Sequence, residues 1–173
     1  EKYVAISSAD KYGSRDYDQY LENGQLTLCN ITGDPALYFG VTPKFVSEVM
    51  SGEFKNTVII LMSCNGLKVG YYKTAETFKM KGAKVFISWD GWIEQTSNDD
   101  GTALLLKRLI NENDTVAEAV EGISYLSGFG PSTLEYYPRP DAGGYHIPDY
   151  RQSQALNGMM IADVRREENK GSS

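Results

Sequence analysis

Two apolar runs separated by one amphipathic segment form the centre of the hydrophobic pattern. The first run, residues 57–62, ends at the polar motif Ser63-Cys64-Asn65-Gly66, and the second, residues 83–89, ends at Trp89-Asp90. Short continuous apolar runs rich in β-branched side chains are typical of strands that are buried on both faces. The pattern therefore predicts a β-α-β unit with two parallel strands, joined by a helix over residues 71–81.

Capping signals predict further helices. Thr42-Pro43 combines a hydroxyl N-cap with proline at the first helical position, and Thr115 with Glu118 forms a capping box. Leucines at helical spacing predict another helix over residues 101–110. The preceding Asn98-Asp99-Asp100 offers oxygen ligands suited to Ca²⁺ but lacks the remaining spacing of an EF-hand loop, so it is predicted to cap that helix.

Shorter periodic segments flank this unit. They predict a strand over residues 2–7, a short helix over 16–21, an antiparallel hairpin of 25–31 with 36–41, a strand over 134–137, and a final strand or helix over 152–164. The fold class expected is α/β, with a mostly parallel sheet and a small antiparallel hairpin. One domain is expected over residues 1–164, followed by a solvated tail over 165–173.

Composition and charge narrow the classes of partner. The chain has 173 residues, of which 41% are apolar, and a formal net charge of −6. The negative charge argues against nucleic acid or an anionic membrane as a partner. No apolar run approaches the roughly 20 residues that cross a bilayer, so membrane insertion is not expected. The composition leaves the compartment open.

Cofactor and metal sites are not predicted. The chain has one histidine and two separated cysteines, Cys29 and Cys64, which do not make a zinc site. No glycine-rich loop of the phosphate-binding type is present either, because residues 66–70 lack its lysine and hydroxyl partners. Cys29 is interpreted as a small buried hydrophobic residue.

Cys64 is the candidate catalytic residue. Side chains at the carboxyl ends of parallel strands line the functional crevice of such sheets, and Cys64 is expected at the end of the first apolar strand. A partly exposed thiol near backbone amides suits nucleophilic attack on a carbonyl, and the amides could serve as an oxyanion hole. The alternative from position alone is a structural thiol that closes the strand.

An ordered set of motifs extends this interpretation. The strand into Ser63-Cys64-Asn65-Gly66 is followed by an amphipathic helix and by Gly82-Ala83, an apolar strand and Trp89-Asp90. A leucine-rich helix and the helix start at Thr115 come next. In this order residues 58–123 resemble the second half of a clan CD cysteine peptidase, the group that includes caspases, separase, gingipains and CHAT-domain proteases.

The resemblance implies a caspase-like three-layer α/β/α sandwich with Cys64 as nucleophile and a peptide or protein as substrate. It also implies that the strand ending at Trp89 and Asp90 borders the pocket for the residue before the scissile bond. In separase-like members an acidic residue just after that tryptophan selects arginine, so Asp90 implies a basic substrate side chain. An aspartate at a strand end is otherwise a turn former or a helix cap.

The histidine departs from the family pattern. The family's catalytic histidine precedes the cysteine, whereas the single histidine here, His146, follows Cys64. Three explanations remain: a histidine upstream of Glu1, in a preceding segment or another chain; a catalytically inactive pseudo-peptidase that uses the fold as a binding or scaffold module; or His146 reaching Cys64 from another direction. The abrupt start at a predicted strand and the lack of an initiator methionine favour the first.

Tyrosine is frequent, with 12 in the chain. Those at positions 12, 17, 20, 136, 137, 145 and 150 are interpreted either as ordinary half-buried packing or as the rim of a peptide- or glycan-binding surface.

Overall fold

The computed structural model describes residues 2–13, 15–31 and 33–148, which form two sheets and several helices. The strands are β1 (Ile6–Lys11), β2 (Leu26–Asn30), β3 (Leu37–Val41), β4 (Val58–Leu61), β5 (Val85–Trp89), β6 (Ser124–Ser127) and β7 (Gly130–Tyr137). The helices are α1 (Asp18–Glu22), α2 (Pro43–Glu48), α3 (Lys73–Met80), α4 (Gln95–Leu106) and α5 (Val116–Val120). Helix α4 continues into a π-helical segment, Lys107–Glu112. The expected α/β class is confirmed.

The larger sheet has four strands in the order β4-β5-β7-β6. Strands β4 and β5 are parallel, in a register that places Val58 opposite Val85 and Leu61 opposite Ser88. The β5–β7 and β6–β7 pairs are antiparallel, so the expectation of a mostly parallel sheet is wrong for this sheet. For β6 and β7 the reason is the tight turn between them, since strands joined by a few residues can pair only in antiparallel fashion.

The sequence pattern gives little sign of the β6–β7 hairpin. Only residues 134–137 were predicted as a strand, because Gly128, Gly130 and Pro131 are typical of loops. In the structure Gly130 has a φ of +111° and begins β7, and Pro131 pairs with Leu126. Glycine adopts such a φ without steric cost, and it lets the chain reverse at this point.

The smaller sheet is antiparallel, in the order β1-β3-β2. The predicted hairpin of its second and third strands is confirmed, with Leu26 opposite Val41. The first strand was predicted four residues too early, because β1 continues to Lys11 through a polar stretch. Five of its six residues are exposed, so burial left no apolar alternation for the sequence to show.

Helices cover both faces of the four-stranded sheet, whose central strand β5 is buried at every residue. On one face Phe86 packs against Val46 of α2 and Phe78 of α3. On the other face, Ile87 and Trp89 belong to a second core with residues of α4 and α5. The even burial explains why β5 appears in the sequence as an unbroken apolar run.

Two predicted helix starts are confirmed. The Thr42 hydroxyl accepts a hydrogen bond from the Phe45 N–H at 3.3 Å at the start of α2. The Thr115 and Glu118 side chains form the complete capping box of α5. The third prediction is wrong, because α4 begins at Gln95 rather than after the Asn98-Asp99-Asp100 motif. Asn98 lies within the helix, where its side chain accepts a hydrogen bond from Trp89.

Some predictions lie outside the described residues. These are the element over residues 152–164, the tail over 165–173, and with them the end of the predicted domain. Among the residues that are described, no helix has the length and apolar character needed to cross a membrane.

Candidate functional site

Cys64 lies in a turn that folds back over the end of β5. Strand β4 ends at Leu61, so Cys64 lies three residues past the strand. The prediction that Cys64 is the last residue of the strand is wrong. The Asn65 N–H donates to the Gly91 carbonyl at 2.8 Å, and the Leu67 N–H donates to the Trp89 carbonyl at 2.9 Å. These two bonds hold the thiol-bearing turn beside the carboxyl end of β5. They place Cys64 and Asp90 on neighbouring segments beyond the carboxyl ends of β4 and β5.

Gly66 permits this close approach. A Cβ atom at position 66 would lie 2.0 Å from the Ser88 hydroxyl oxygen and 2.7 Å from its Cβ. Ser88 is fully buried, and its hydroxyl donates to the Leu61 carbonyl. The turn can therefore lie on β5 only because a residue without a side chain faces a small buried serine.

The Cys64 side chain is half-buried and contacts the backbone of Ile93. The Ile93 N–H donates to the sulfur at 3.4 Å, and the Ile93 carbonyl oxygen lies at the same distance as an acceptor for the thiol. A backbone N–H directed at sulfur is a contact that supports negative charge there, whereas the carbonyl favours the neutral thiol. The single residue Ile93 thus provides partners for both forms.

The turn also carries a left-handed residue and unpaired polar atoms. Asn65 has a φ of +61°, in the left-handed region that asparagine adopts more readily than most residues. Within the described part of the chain, the buried Ser63 Oγ and Asn65 Oδ1 atoms have no hydrogen-bond partner. Unpaired buried polar atoms are rare in proteins, and their presence here supports the choice of this turn as the site.

The amides of the turn are only partly free to bind an oxyanion. Those of Asn65 and Leu67 are engaged by Gly91 and Trp89, as described above. The amides of Cys64 and Gly66 have no hydrogen-bond partner among the described residues. The predicted oxyanion donors are therefore reduced to these two.

Trp89 is placed differently from the other predicted site residues. Its side chain is 0% exposed and belongs to the core between β5 and α4. The indole N–H donates to Asn98 Oδ1 at 2.8 Å, and the ring packs on Gly101, where a Cβ would lie 2.7 Å from it. Trp89 fixes α4 against the sheet and lies behind the site rather than on its surface.

Asp90 lines a cavity of about 390 Å³ at the carboxyl end of β5. Its carboxylate accepts a hydrogen bond from the Thr133 N–H at 2.7 Å, and its own N–H donates to the Thr133 carbonyl at 3.1 Å. These bonds fix the side chain against β7. The cavity is also lined by Glu135 and Arg139, which sequence analysis did not identify.

Glu135 adds a second carboxylate to the Asp90 cavity. Burial raises the pKa of the Glu135 carboxyl; the Arg139 guanidinium opposes the increase, and the negative charge of Asp90 adds to it. Arg139 forms an ion pair with Glu135, and its guanidinium lies over the Tyr136 ring, 4.6 Å from the centroid. Glu135 reaches this place because it pairs with Ser88 on β5. The sequence alone does not predict that pairing, because it depends on β7, whose hairpin with β6 is not predicted either.

His146 lies toward the amino end of β4, whereas Cys64 lies beyond its carboxyl end. Its Nδ1 atom is 2.9 Å from the Asn113 carbonyl oxygen. The adjacent Tyr145 hydroxyl donates to the carbonyl of Asn56, which precedes β4, whereas Cys64 follows β4. The four residues of β4, at about 3.3 Å each, separate the two ends of this strand by more than about 10 Å. The explanation in which His146 reaches Cys64 is therefore wrong for this structure.

The second cysteine lies in the other sheet. Cys29 is half-buried on β2, and burial raises the pKa of its thiol. Across the described ranges, no group of three or more histidine, cysteine, aspartate or glutamate side chains could hold a metal ion.

Comparisons with models of protein families, with curated proteins and with solved structures give no match for this chain.

Proposed function

We propose that this chain is a cysteine endopeptidase domain of caspase-like type, or the nucleophile-bearing part of one. The observation that carries the proposal is the pair of hydrogen bonds that place the Cys64 turn beside the end of β5, next to Asp90. Parallel β4 and β5 and helices on both faces are compatible with a caspase-like sandwich. The half-buried thiol and the unpaired buried polar atoms of Ser63 and Asn65 support a catalytic role for this turn.

The proposed reaction proceeds through an acyl-enzyme. The Cys64 thiolate attacks the scissile carbonyl carbon, and collapse of the tetrahedral adduct breaks the C–N bond and releases the amine with a proton. Water then hydrolyses the thioester and regenerates the thiol. The free amides of Cys64 and Gly66 are the candidates to stabilise the oxyanion. The base would be a histidine supplied by a preceding segment or by another chain.

The proposed substrate has a basic residue before the scissile bond. Two carboxylates, Asp90 and Glu135, line one cavity, and a charged guanidinium is best bound by paired, desolvated carboxylates. The chain's own Arg139 supports this choice, because its guanidinium is bound there by Glu135 and the Tyr136 ring.

Covalent labelling tests the assignment of the nucleophile directly. We expect a peptidyl-arginine acyloxymethyl ketone to label the protein at Cys64, as identified by peptide mass spectrometry, and the matching peptidyl-aspartate reagent to label it much more slowly. The Cys64→Ala variant should lose labelling and any peptide cleavage by several orders of magnitude. The matched control is Cys29→Ala, which should behave as the wild type. Labelling that survives in Cys64→Ala would refute the assignment of the nucleophile.

A second candidate is a non-catalytic binding or scaffold module on the same fold. It is favoured by the position of His146 and by the Ile93 carbonyl, which suits a neutral thiol. The two candidates differ in thiol reactivity. Alkylation of Cys64 by iodoacetamide, followed against pH in the Cys29→Ala background, should be fast near neutral pH for the enzyme and slow for the binding module.

A further inference from the structure

A second pocket lies between the three-stranded sheet and helices α1 and α2, and it shares no residue with the Cys64 site. Its volume is about 220 Å³, smaller than the pockets that hold drug-sized ligands. Four aromatic side chains line it: Tyr17, Tyr20, Phe39 and Phe45. Its size suits a single side chain or a small head group.

The aromatic rings form inclined walls rather than a stack. Tyr17 and Phe39 have centroids 5.2 Å apart and planes at 77°, and Tyr17 and Tyr20 lie 6.5 Å apart at 49°. Tyr20 and Phe45 continue the series at 6.0 Å and 52°. The four rings border one volume from several directions, and a ring face that reaches this volume attracts a cation.

An acidic residue completes the pocket. Asp10 lines it, and its carboxylate forms no ion pair with any of the described residues. Two lysines adjoin pocket residues in the sequence, Lys11 beside Asp10 and Lys44 beside Phe45. Both bond elsewhere, since Lys11 pairs with Asp34 and the Lys44 ammonium donates to the Asn23 carbonyl. The pocket thus offers negative charge and aromatic faces to a cation from outside.

We propose that this pocket binds a methylated ammonium group, the chemistry shared by trimethyllysine side chains and choline head groups. An unmodified ammonium would bring three N–H donors to walls that are mostly aromatic and aliphatic, and leaving them unpaired is costly. A trimethylated ammonium has no N–H, loses less hydration and presents methyl groups to the rings. A purely apolar ligand would gain nothing from Asp10.

Calorimetric titration of the purified protein tests the proposal with choline, a trimethyllysine peptide and dimethylbutanol, the uncharged carbon isostere of choline. We expect a cation to bind at least about tenfold more tightly than the isostere, because only the charge differs. The stronger of the two cations identifies the source of the ligand. Equal affinity for choline and its isostere, or no saturable binding at about 10 mM, would overturn the proposal.

Two variants locate the binding. Tyr17→Leu keeps an apolar side chain but removes a ring face, so we expect an affinity loss of about tenfold. The matched control is Tyr12→Leu: Tyr12 also contacts Phe39, is 45% exposed against 44% for Tyr17, and does not line the pocket. Asp10→Asn should weaken binding about threefold, with a thermal unfolding midpoint close to the wild type. An equal loss in Tyr12→Leu would contradict the assignment.

Discussion

The two sheets of this protein present their chemistry in different ways. In the four-stranded sheet the central strand β5 is buried throughout, and the candidate chemical groups lie in the turns and segments beyond the strand ends. In the three-stranded sheet β1 is largely exposed, and the aromatic pocket is built on the sheet face and the short helices beside it. A sheet covered on both faces leaves room for a site beyond the ends of its strands, whereas a sheet with an open face can carry a site on that face.

A closely packed glycine lies against each sheet, Gly66 on β5 and Gly40 within β3, and their substitution gives the largest expected effect. We expect Gly66→Ala to lower the free energy of unfolding by about 1–3 kcal/mol or more, because the added Cβ overlaps buried Ser88. Gly40→Ala should have a comparable effect, since its Cβ would lie 2.3 Å from the Cys29 sulfur. Urea denaturation measures both. Only Gly66→Ala is expected to change the rate of Cys64 labelling.

Second-site variants separate the two glycines. In the Gly40→Ala background Cys29→Ala should restore most of the stability, because the other neighbours of the new Cβ lie at 3.2 Å and can adjust. Ser88→Ala should not rescue Gly66→Ala, since the Cβ at position 88 would remain 2.7 Å away. Gly128→Ala, with open space around it, is the control. A Gly66→Ala protein as stable as the wild type would contradict the packing described for the turn.

Two helix caps give the next largest effect. Thr42 is 2% exposed, and its hydroxyl lies 2.9 and 2.8 Å from the carbonyl oxygens of Gly24 and Gln25 while it caps α2. Thr115 caps α5 at a half-buried position. We expect Thr42→Ala to cost about 2 kcal/mol of unfolding free energy and Thr115→Ala about 1 kcal/mol, since only the Thr42 hydroxyl is buried and also bonds carbonyls outside its own helix.

Urea denaturation again provides the measurement for the caps. Thr42→Ser and Thr115→Ser keep the hydroxyl and should recover most of each loss. An equal or larger loss at Thr115 would show that burial of the Thr42 hydroxyl does not matter.

The smallest effects concern pH, and the two sheets should differ in sign. The Tyr38 hydroxyl and then the Ala36 N–H donate to Asp34 and hold the pKa of its carboxyl below the ordinary value. Its contribution to stability is therefore present above the unfolded pKa and is lost as the pH falls through the lower folded pKa. For Glu135, burial raises the pKa, so the folded state binds more protons and its contribution declines as the pH rises from the unfolded pKa to the folded one.

Unfolding free energies at a series of pH values test this difference with Asp34→Asn and Glu135→Gln. Relative to the wild type, Asp34→Asn should be least stable near neutral pH and approach it in acid. Glu135→Gln should instead become more stable relative to the wild type as the pH rises through the acidic range, because the cost of ionising the buried Glu135 outweighs its attraction to Arg139. Parallel pH profiles for the two variants would contradict the assigned shifts.

Local signals explain which elements were predictable. Thr42-Pro43 and the box of Thr115 with Glu118 act over three or four residues, so their effect does not depend on the rest of the fold. Asn98 shows the limit of such signals. An asparagine that precedes leucines at helical spacing is typical of a cap, but here it lies inside α4 because its side chain is the partner of the buried Trp89 indole.

The candidate site was predictable in part for the same reason. Cys64 and Asp90 follow apolar runs, and parallel strands bring the ends of such runs together. Glu135 and Arg139 could not be assigned in the same way, because they reach Asp90 only through the pairing of β7 with β5. The aromatic pocket joins residues from five elements, and no spacing in the sequence relates Asp10 to Phe45.

The order of apolar runs, caps and turns in the chain determined the α/β class, the parallel β4–β5 pair, the small hairpin and the side of the sheet on which the thiol lies, because each depends on burial or hydrogen bonds within a short segment. The tertiary structure decided the antiparallel pairing of β7 with β5, the burial of Trp89, the distance of His146 from the thiol and the side chains that surround Asp90. These features depend on which distant segments pack together, and that is set by the summed burial of the whole chain rather than by any local pattern.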